Sequence, residues 1–173
     1  MTAPTSAAER SSFVPPPYPY ERLDRLVTIA AALPGGAVDL SIGTPIDPPL
    51  GAVVEALSTS HSERGYPSSP GSPELRGAVV DWIARRFDVA VEASQVAACV
   101  GTKEFVGTLP QWLRLRRPDR DTVLYPASAS PTYEMGAILA GCRPVAVPLT
   151  TEGTLALDAI AESDVSRALV LWV

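Results

Sequence analysis

Residues 121–149, "DTVLYPASASPTYEMGAILAGCRPVAVPL", contain two apolar runs separated by a helical pattern. The runs "DTVLYP" and "RPVAVPL" are apolar almost throughout, which is typical of strands that helices cover on both faces. Between them, "PTYEMGAILAG" predicts a helix. The stretch therefore predicts two parallel strands connected by a helix, the repeating unit of an α/β sheet.

The same alternation continues on both sides of this stretch. Upstream, "QVAACV" predicts a strand and "TKEFVGTLPQWLRLR" a helix, and downstream "TLALDAIAES" predicts a helix and "RALVLWV" a strand. The predicted fold class is α/β, as part of a doubly wound, mostly parallel sheet. Because no helix follows "RALVLWV", we expect the sequence to stop within a domain, after the fourth main strand of its sheet.

The first half of the chain is predicted to be mainly helical. Residues 1–20 are rich in Pro, Ser and Ala and predict a flexible or extended arm. "YERLDRLVTIAAAL" then predicts a helix, "AVDLSIG" a strand and "GAVVEALSTS" a second helix. The clearest helix signal is "SPELRGAVVDWIARRF", with Ser72 as N-cap, Pro73 in the first turn and apolar residues at i, i+4 spacing from Leu75 to Phe87.

Composition excludes several classes of protein. The net charge is -5 and the arginines are dispersed, so we expect no binding to nucleic acid. No apolar run is long enough to span a membrane, so a cytoplasmic location is expected. Cys99 and Cys142 are predicted to be buried free thiols. His61, the only histidine, is predicted to be a solvated loop residue, which disfavours a histidine-based triad or a metal site.

The turn after "VAACV" is a candidate anion site. Gly101 permits close approach of a ligand to the backbone, and the amides of Thr102, Lys103 and Glu104 lie at a predicted helix N-terminus, where phosphate groups bind. The hydroxyl of Thr102 can add a donor. Many strand-to-helix turns that begin Gly-Thr bind no ligand, so the pattern by itself leaves a purely structural turn open.

Two tyrosines are candidate ligand-binding residues. Tyr133 follows a predicted strand end, where its ring can stack on a flat heteroaromatic cofactor or simply pack against the core. Tyr66 lies in the Gly- and Pro-rich loop "GYPSSPGSPELR", where its hydroxyl can reach a ligand or bond to the backbone.

Four phrases of the sequence together carry a family resemblance. "LSIGTPIDPP", "GYPSSPGSPELRGAVVDWIARRF", "VGTKEFVGTLP" and "YPASASPTYEMGAILAG" resemble the amino-terminal half of the class I/II (fold-type-I) aminotransferases that use pyridoxal 5'-phosphate. Within that family the phrases are most similar to the N-succinyl-diaminopimelate aminotransferases of lysine and cell-wall biosynthesis. The resemblance covers residues 20–173 but only the first half of the family's length.

The resemblance implies roles for particular residues. Gly43 matches the glycine beside the substrate carboxylate, and Tyr66 matches the tyrosine that crosses a homodimer interface to the partner's cofactor phosphate. Residues 101–103 match the turn that binds the phosphate, and Tyr133 matches the aromatic residue that stacks on the pyridine ring. Residues 127–130, "ASAS", depart from the family's phrase at that point, which leaves the surroundings of Tyr133 less defined.

Lys103 is the only lysine of the chain. It does not match the family's lysine that forms the imine with the cofactor. That lysine, like an asparagine, an aspartate and an arginine of the site, comes later in the family's sequence. We therefore expect Lys103 to be either an auxiliary cation near the phosphate or a solvated residue at the start of a helix.

The resemblance also implies a division of the chain into three parts. These are an arm (1–20), N-terminal helices with the first part of the aminotransferase fold (21–95), and a partial large domain that binds the cofactor (96–173).

The expected function is transfer of an amino group between an amino acid, for example N-succinyl-LL-2,6-diaminopimelate, and a 2-oxo acid. Without the later lysine, the chain by itself is expected to be inactive. The alternative is a catalytically inactive remnant that binds a phosphorylated ligand or a protein partner. A Rossmann-type dehydrogenase is disfavoured, because no Gly-x-Gly-x-x-Gly follows a predicted strand.

Overall fold

The computed structural model describes residue 14 and residues 18–38, 40, 43–61 and 64–173. Its helices are α1 (Asp24–Ala31), α2 (Gly51–Ser58), α3 (Pro73–Phe87), α4 (Thr102–Arg116), α5 (Pro131–Leu139) and α6 (Glu162–Arg167). Its strands are β1 (Thr122–Pro126), β2 (Arg143–Val147) and β3 (Ala168–Leu171). Short 3-10 turns lie at Pro19–Leu23, Ala93–Gln95 and Leu157–Ala159.

The three strands form one parallel sheet in the order β2-β1-β3. Thr122, at the start of the central strand, pairs with Arg143 on one side and with Ala168 on the other. The first three residues of β1 are buried, and Val123 forms the core with Ala137 and Cys142. The predicted α/β class with a parallel sheet is confirmed.

Caps and prolines explain where the main helices begin. At α3, the Ser72 hydroxyl accepts a hydrogen bond from the Leu75 amide at 3.1 Å and Pro73 occupies the first turn, as predicted. Ser130 caps α5 in the same way, ahead of Pro131. α3 ends at Asp88, whose φ of 54° is left-handed and stops the helix.

Helices α4 and α5 pack against each other through two glycines. A Cβ added to Gly136 would lie 3.0 Å from the carbonyl oxygen of Gly107, 3.1 Å from its Cα and 3.2 Å from the carbonyl oxygen of Val106. A side chain at this position would require the backbone of α4 to shift by a few tenths of an ångström, which glycine avoids. Pro110 is buried inside α4 and has no amide hydrogen. The carbonyl of Val106, four residues earlier, therefore lacks its usual partner within the helix and points to the crossing.

An ion pair ties β3 to the beginning of β1. Arg167, the last residue of α6, donates from Nε to the Asp121 carboxylate at 2.8 Å and makes a second bond from its guanidinium to the other oxygen. These bonds lower the pKa of the Asp121 carboxyl below its ordinary value. Arg120 also donates to the Ala168 carbonyl at 2.8 Å. The start of the third strand is therefore fixed by side chains as well as by the sheet.

Two predicted elements were wrong. "QVAACV" is not a strand, because the amide of Ala98 donates to the carbonyl of Pro70 at 3.0 Å, in the loop before α3, and no described strand pairs with it. The sheet of the described residues therefore has three strands, not four. "TLALDAIAES" is not one helix, because Leu149 and Leu155 form an antiparallel bridge that uses its first residues, and α6 begins only at Glu162.

Other predictions fall on the first half of the chain. The predicted strand "AVDLSIG" includes residues outside the described part, and its described residues (37, 38, 40 and 43) are not in a strand. The predicted arm also lies outside the described residues, except for Val14 and the residues from Tyr18 onwards. The domain boundaries stay predictions. No helix of the described residues is long and apolar enough to cross a membrane.

The two cysteines are free, as predicted, but only one of them is buried. Cys142 lies in the core, where burial raises the pKa of its thiol. Cys99 is exposed, because the segment that carries it does not join the sheet. His61 is exposed, as predicted.

The close approach at Gly136 predicts an unusual response to a Gly→Ala substitution. Gly136→Ala is expected to lower the free energy of unfolding by about 0.5–2 kcal/mol, because overpacking outweighs the ~1 kcal/mol that alanine contributes as a better helix former. Gly77→Ala, in open space within α3, is the matched control and should raise it by about 0.5–1 kcal/mol. Denaturant titration measures both, and equal stabilisation by the two substitutions would contradict the tight crossing.

Candidate functional site

A groove of about 360 Å³ opens where the first turns of α4 and α5 lie side by side. It lies at the carboxyl ends of the parallel strands, where α/β proteins bind their ligands. Its volume is within the range of ligand pockets, which is about 300–1,000 Å³. It is lined by Thr102, Lys103 and Val106 of α4, by residues 130–133 at the start of α5, and by Tyr18 and Tyr20.

The start of α4 has the features of an anion site. Gly101, at the N-cap, provides no side chain, and no cap bond from a described side chain occupies the first turn of the helix. The amides of Thr102 and Lys103 are therefore available, and the helix dipole adds partial positive charge. Glu104 does not compete for them, because its carboxylate accepts the amide of Val100 at 2.7 Å and lines a neighbouring groove. This bond fixes the turn that leads into the helix.

Lys103 is exposed and contacts the segment before α1. Its ammonium lies 3.4 Å from the hydroxyl oxygen of Tyr18 and 5.5 Å from the centre of the same ring. Tyr18 in turn packs against Tyr20, with 5.4 Å between the ring centres. The contact is a weak hydrogen bond and a cation–π interaction. Lys103 therefore holds its charge at the rim of the groove and connects α4 to the two tyrosines.

Tyr133, in the first turn of α5, presents an aromatic surface to the groove. Its ring packs on the indole of Trp172, with 5.2 Å between centres and 30° between planes. Phe105 of α4 meets the same indole edge-on, at 6.5 Å and 80°. The ring of Tyr133 thus belongs to a cluster of three aromatic side chains, in which Trp172 contacts both Tyr133 and Phe105.

The predicted site residues fall into three groups. The structure brings Thr102, Lys103 and Tyr133 to one groove, with Gly101 directly before α4. Tyr66 is fully exposed and lines the neighbouring groove with Cys99 and Glu104. Gly43 lines neither groove, and an added Cβ there would meet open space. The roles of all these residues remain predictions.

Several lining residues were missed by the sequence analysis. Tyr18 and Tyr20 belong to "FVPPPYPY", which predicted an extended arm, although two aromatic residues at i, i+2 spacing in such a segment were a usable signal for contact with a surface. Ser130 and Thr132 were missed because the "ASAS" stretch departs from the family phrase. Trp172 does not line the groove, and its contact with Tyr133 was not predicted because "RALVLWV" indicated only a strand.

The parallel sheet and the helices that connect its strands define an α/β domain. The model of the family "Aminotransferase class I and II" matches residues 36–168. The chain belongs to this family, as its resemblance predicted.

Curated relatives agree with this assignment. A probable aminotransferase of Mycobacterium tuberculosis is 40% identical over 129 residues, which is 74% of this chain and 30% of the relative. An LL-diaminopimelate aminotransferase of Aquifex aeolicus is 36% identical over 164 residues, or 91% of this chain and 42% of the relative. The chain therefore spans less than half the length of the curated relatives it matches.

Solved structures give the same fold. An aminotransferase from Neisseria meningitidis matches 92% of this chain and 42% of its own, with a TM-score of 0.79 and 25% identity. A probable N-succinyldiaminopimelate aminotransferase from Thermus thermophilus matches 87% of this chain and 40% of its own, with a TM-score of 0.69 and 27% identity.

The bond between Glu104 and the Val100 amide predicts how the turn before α4 is stabilised. Glu104→Ala removes the acceptor and is expected to lower the free energy of unfolding by about 0.5–2 kcal/mol, as loss of a helix cap does. Glu104→Gln keeps a side-chain oxygen as acceptor and should lose less than half of that amount. The two variants are compared by denaturant titration, and equal losses would show that the acceptor oxygen is not what stabilises the turn.

Proposed function

We propose that this chain provides the phosphate- and ring-binding part of the active site of an aminotransferase that uses pyridoxal 5'-phosphate. The observation that supports this most directly is that Thr102 and Tyr133 line one groove from the first turns of adjoining helices. One helix start suits an anion and the other presents an aromatic face. A flat, phosphorylated pyridine needs both within the length of one small molecule.

The described residues fit this cofactor. The amides of Thr102 and Lys103 and the hydroxyl of Thr102 would hold the phosphate, and the ring of Tyr133 would stack on the pyridine. When bound, the cofactor supplies an electron sink for negative charge at the substrate carbon. The residues of this chain bind and orient it, and the tyrosines from the segment before α1 restrict access of water from one side of the groove.

In this proposal Lys103 is the auxiliary cation near the phosphate and is not the catalytic lysine. Lys103 belongs to the first turn of α4, the turn whose amides would hold the anion, and its ammonium contacts Tyr18. Transamination also needs a lysine amine that moves a proton at the substrate carbon. Lys103 is the only lysine present, so residues 1–173 by themselves would bind the cofactor without turning over substrate.

The substrates we propose are an amino acid of the diaminopimelate type, with or without an N-succinyl group, and a 2-oxo acid. This rests on phrase similarity and on the printed functions of the relatives in Aquifex and Thermus. Gly43 would lie beside the substrate carboxylate. Tyr66, which is fully exposed, would extend across a homodimer interface to the phosphate of the partner's cofactor.

Cofactor binding is the direct test of this proposal. The purified protein is dialysed against pyridoxal 5'-phosphate, and bound cofactor is measured by its absorbance, with pyridoxal, which has no phosphate, as the control ligand. Thr102→Val should weaken binding of the phosphorylated form about tenfold or more, because a hydrogen bond to a charged group contributes about 1.5–3 kcal/mol.

Thr108→Val is the matched control for this experiment. Thr108 lies on α4, does not line the groove, and donates its hydroxyl to the backbone of Glu104. Its loss should leave cofactor affinity unchanged. Equal affinity of the unsubstituted protein for pyridoxal and for its phosphate would contradict the phosphate site and, with it, the proposed function.

The charge of Lys103 predicts a difference between two substitutions. Lys103→Arg keeps the positive charge at the groove rim and should retain cofactor affinity within about twofold, whereas Lys103→Met should weaken it several-fold at low salt and much less at high salt, because salt screens exposed charges. Affinities are measured at two ionic strengths. A covalent link from the cofactor to Lys103 after borohydride reduction would instead assign the catalytic role to this lysine.

A further inference from the structure

Trp172 occupies a position that connects the sheet to both helix starts. Its backbone amide donates to the carbonyl of Leu124 at 2.9 Å, so the sheet fixes its main chain. Its indole packs between Phe105, in the first turn of α4, and Tyr133, in the first turn of α5. The indole does not itself line the groove, so it would not touch a ligand bound there.

Hydrogen bonding by the indole nitrogen does not explain why a tryptophan occupies position 172. Nε1 of Trp172 is buried and has no hydrogen-bond partner among the described residues. A buried donor without a partner is unfavourable, and a phenyl ring would avoid it. What the indole provides is a broad, rigid surface, which contacts the ring of Tyr133 in a tilted arrangement with 30° between the planes.

We infer that Trp172 is a positioning residue for the cofactor, acting through Tyr133. The inference rests on the proposed function. Contact with Trp172 restricts the side-chain torsions of Tyr133, so that the ring which lines the groove is held in one orientation. Through Phe105, the same indole sets the separation between the anion-binding turn of α4 and the stacking ring of α5.

The test is a double-mutant cycle read as affinity for pyridoxal 5'-phosphate, measured by equilibrium dialysis. Trp172→Leu removes the stack and should weaken binding roughly two- to tenfold, the size of one lost aromatic pair. Tyr133→Leu should weaken it at least as much. In the Tyr133→Leu background, Trp172→Leu should have almost no further effect, because the ring through which it acts is gone.

Two further variants separate positioning from general damage to the fold. Trp172→Phe keeps an aromatic surface and should retain most of the affinity. Trp112→Leu, on an exposed part of α4 away from the groove, is the control for loss of a tryptophan and should leave affinity unchanged. If Trp172→Leu does not fold, as judged by circular dichroism, Trp172→Met takes its place, because it fills similar space without a ring.

The outcomes distinguish the inference from the function on which it rests. If the unsubstituted protein takes up no pyridoxal 5'-phosphate, the proposed function fails and the inference fails with it. If the protein binds the cofactor and Trp172→Leu binds it equally well, only the inference is overturned. Additive effects of the Trp172 and Tyr133 substitutions would also overturn it, since they would show that Trp172 does not act through Tyr133.

Discussion

The close approach of α4 and α5 at Gly107 and Gly136 is the constraint on which the rest of this structure depends. A single Cβ at Gly136 would lie 3.0 Å from the backbone of α4, so a side chain there would require a shift of a few tenths of an ångström at the crossing. Since the two crossing glycines lie within two turns of the helix starts, a shift at the crossing would be transmitted to the turns that begin at Thr102 and Pro131. The geometry of the groove therefore depends on the helix crossing beneath it as well as on the residues that line it.

The sheet separates the residues that stabilise the fold from those that form the groove. Because all three strands are parallel, their first residues share one edge, and the ion pairs of Arg167 with Asp121 and of Arg143 with Asp164 lie at this edge. The groove lies at the opposite, carboxyl edge, where Trp172 follows β3. Charged side chains can thus fix the strand starts without placing carboxylates near the anion site.

How far the sequence predicts this structure depends on how local the signals are. α3, α4 and α5 begin where predicted, because serine caps, prolines at the first turn and a glycine before a helix act within a few residues. "QVAACV" failed as a strand because a strand exists only with a partner, and the amide of Ala98 is paired with the loop at Pro70. The prediction that Cys99 is buried was wrong for the same reason.

In the candidate site, too, the residues with local sequence signals were predicted and those that depend on distant contacts were not. Tyr133 was found because it follows the end of a strand that does form, β1. Thr102 and Lys103 were found from the glycine that precedes a helix start, although the strand predicted before them is absent. The contributions of Tyr18 and Trp172 could not be found in this way, since each depends on a contact between segments far apart in the chain, 85 residues in the case of Lys103 and Tyr18. Patterns of period 2 or 3.6 carry no information on such contacts.

In the proposed site, the charges around the groove would allow a bound phosphate to be balanced with a single lysine at the rim. A helix N-terminus contributes about half a positive charge, and a phosphate monoester carries about -1.5 to -2 at neutral pH. With the ammonium of Lys103 the local positive charge rises to about +1.5, which nearly balances the negative charge of the anion.

The carboxylate of Glu104 would reduce this positive charge if it faced the groove. Its bond to the Val100 amide holds it on the other side of the turn. Among the contacts described for Lys103, its ammonium meets the hydroxyl and ring of Tyr18 rather than a carboxylate. In the proposed site, the remaining need of a bound phosphate is therefore for hydrogen-bond donors rather than for charge, and the hydroxyl of Thr102 would be one such donor.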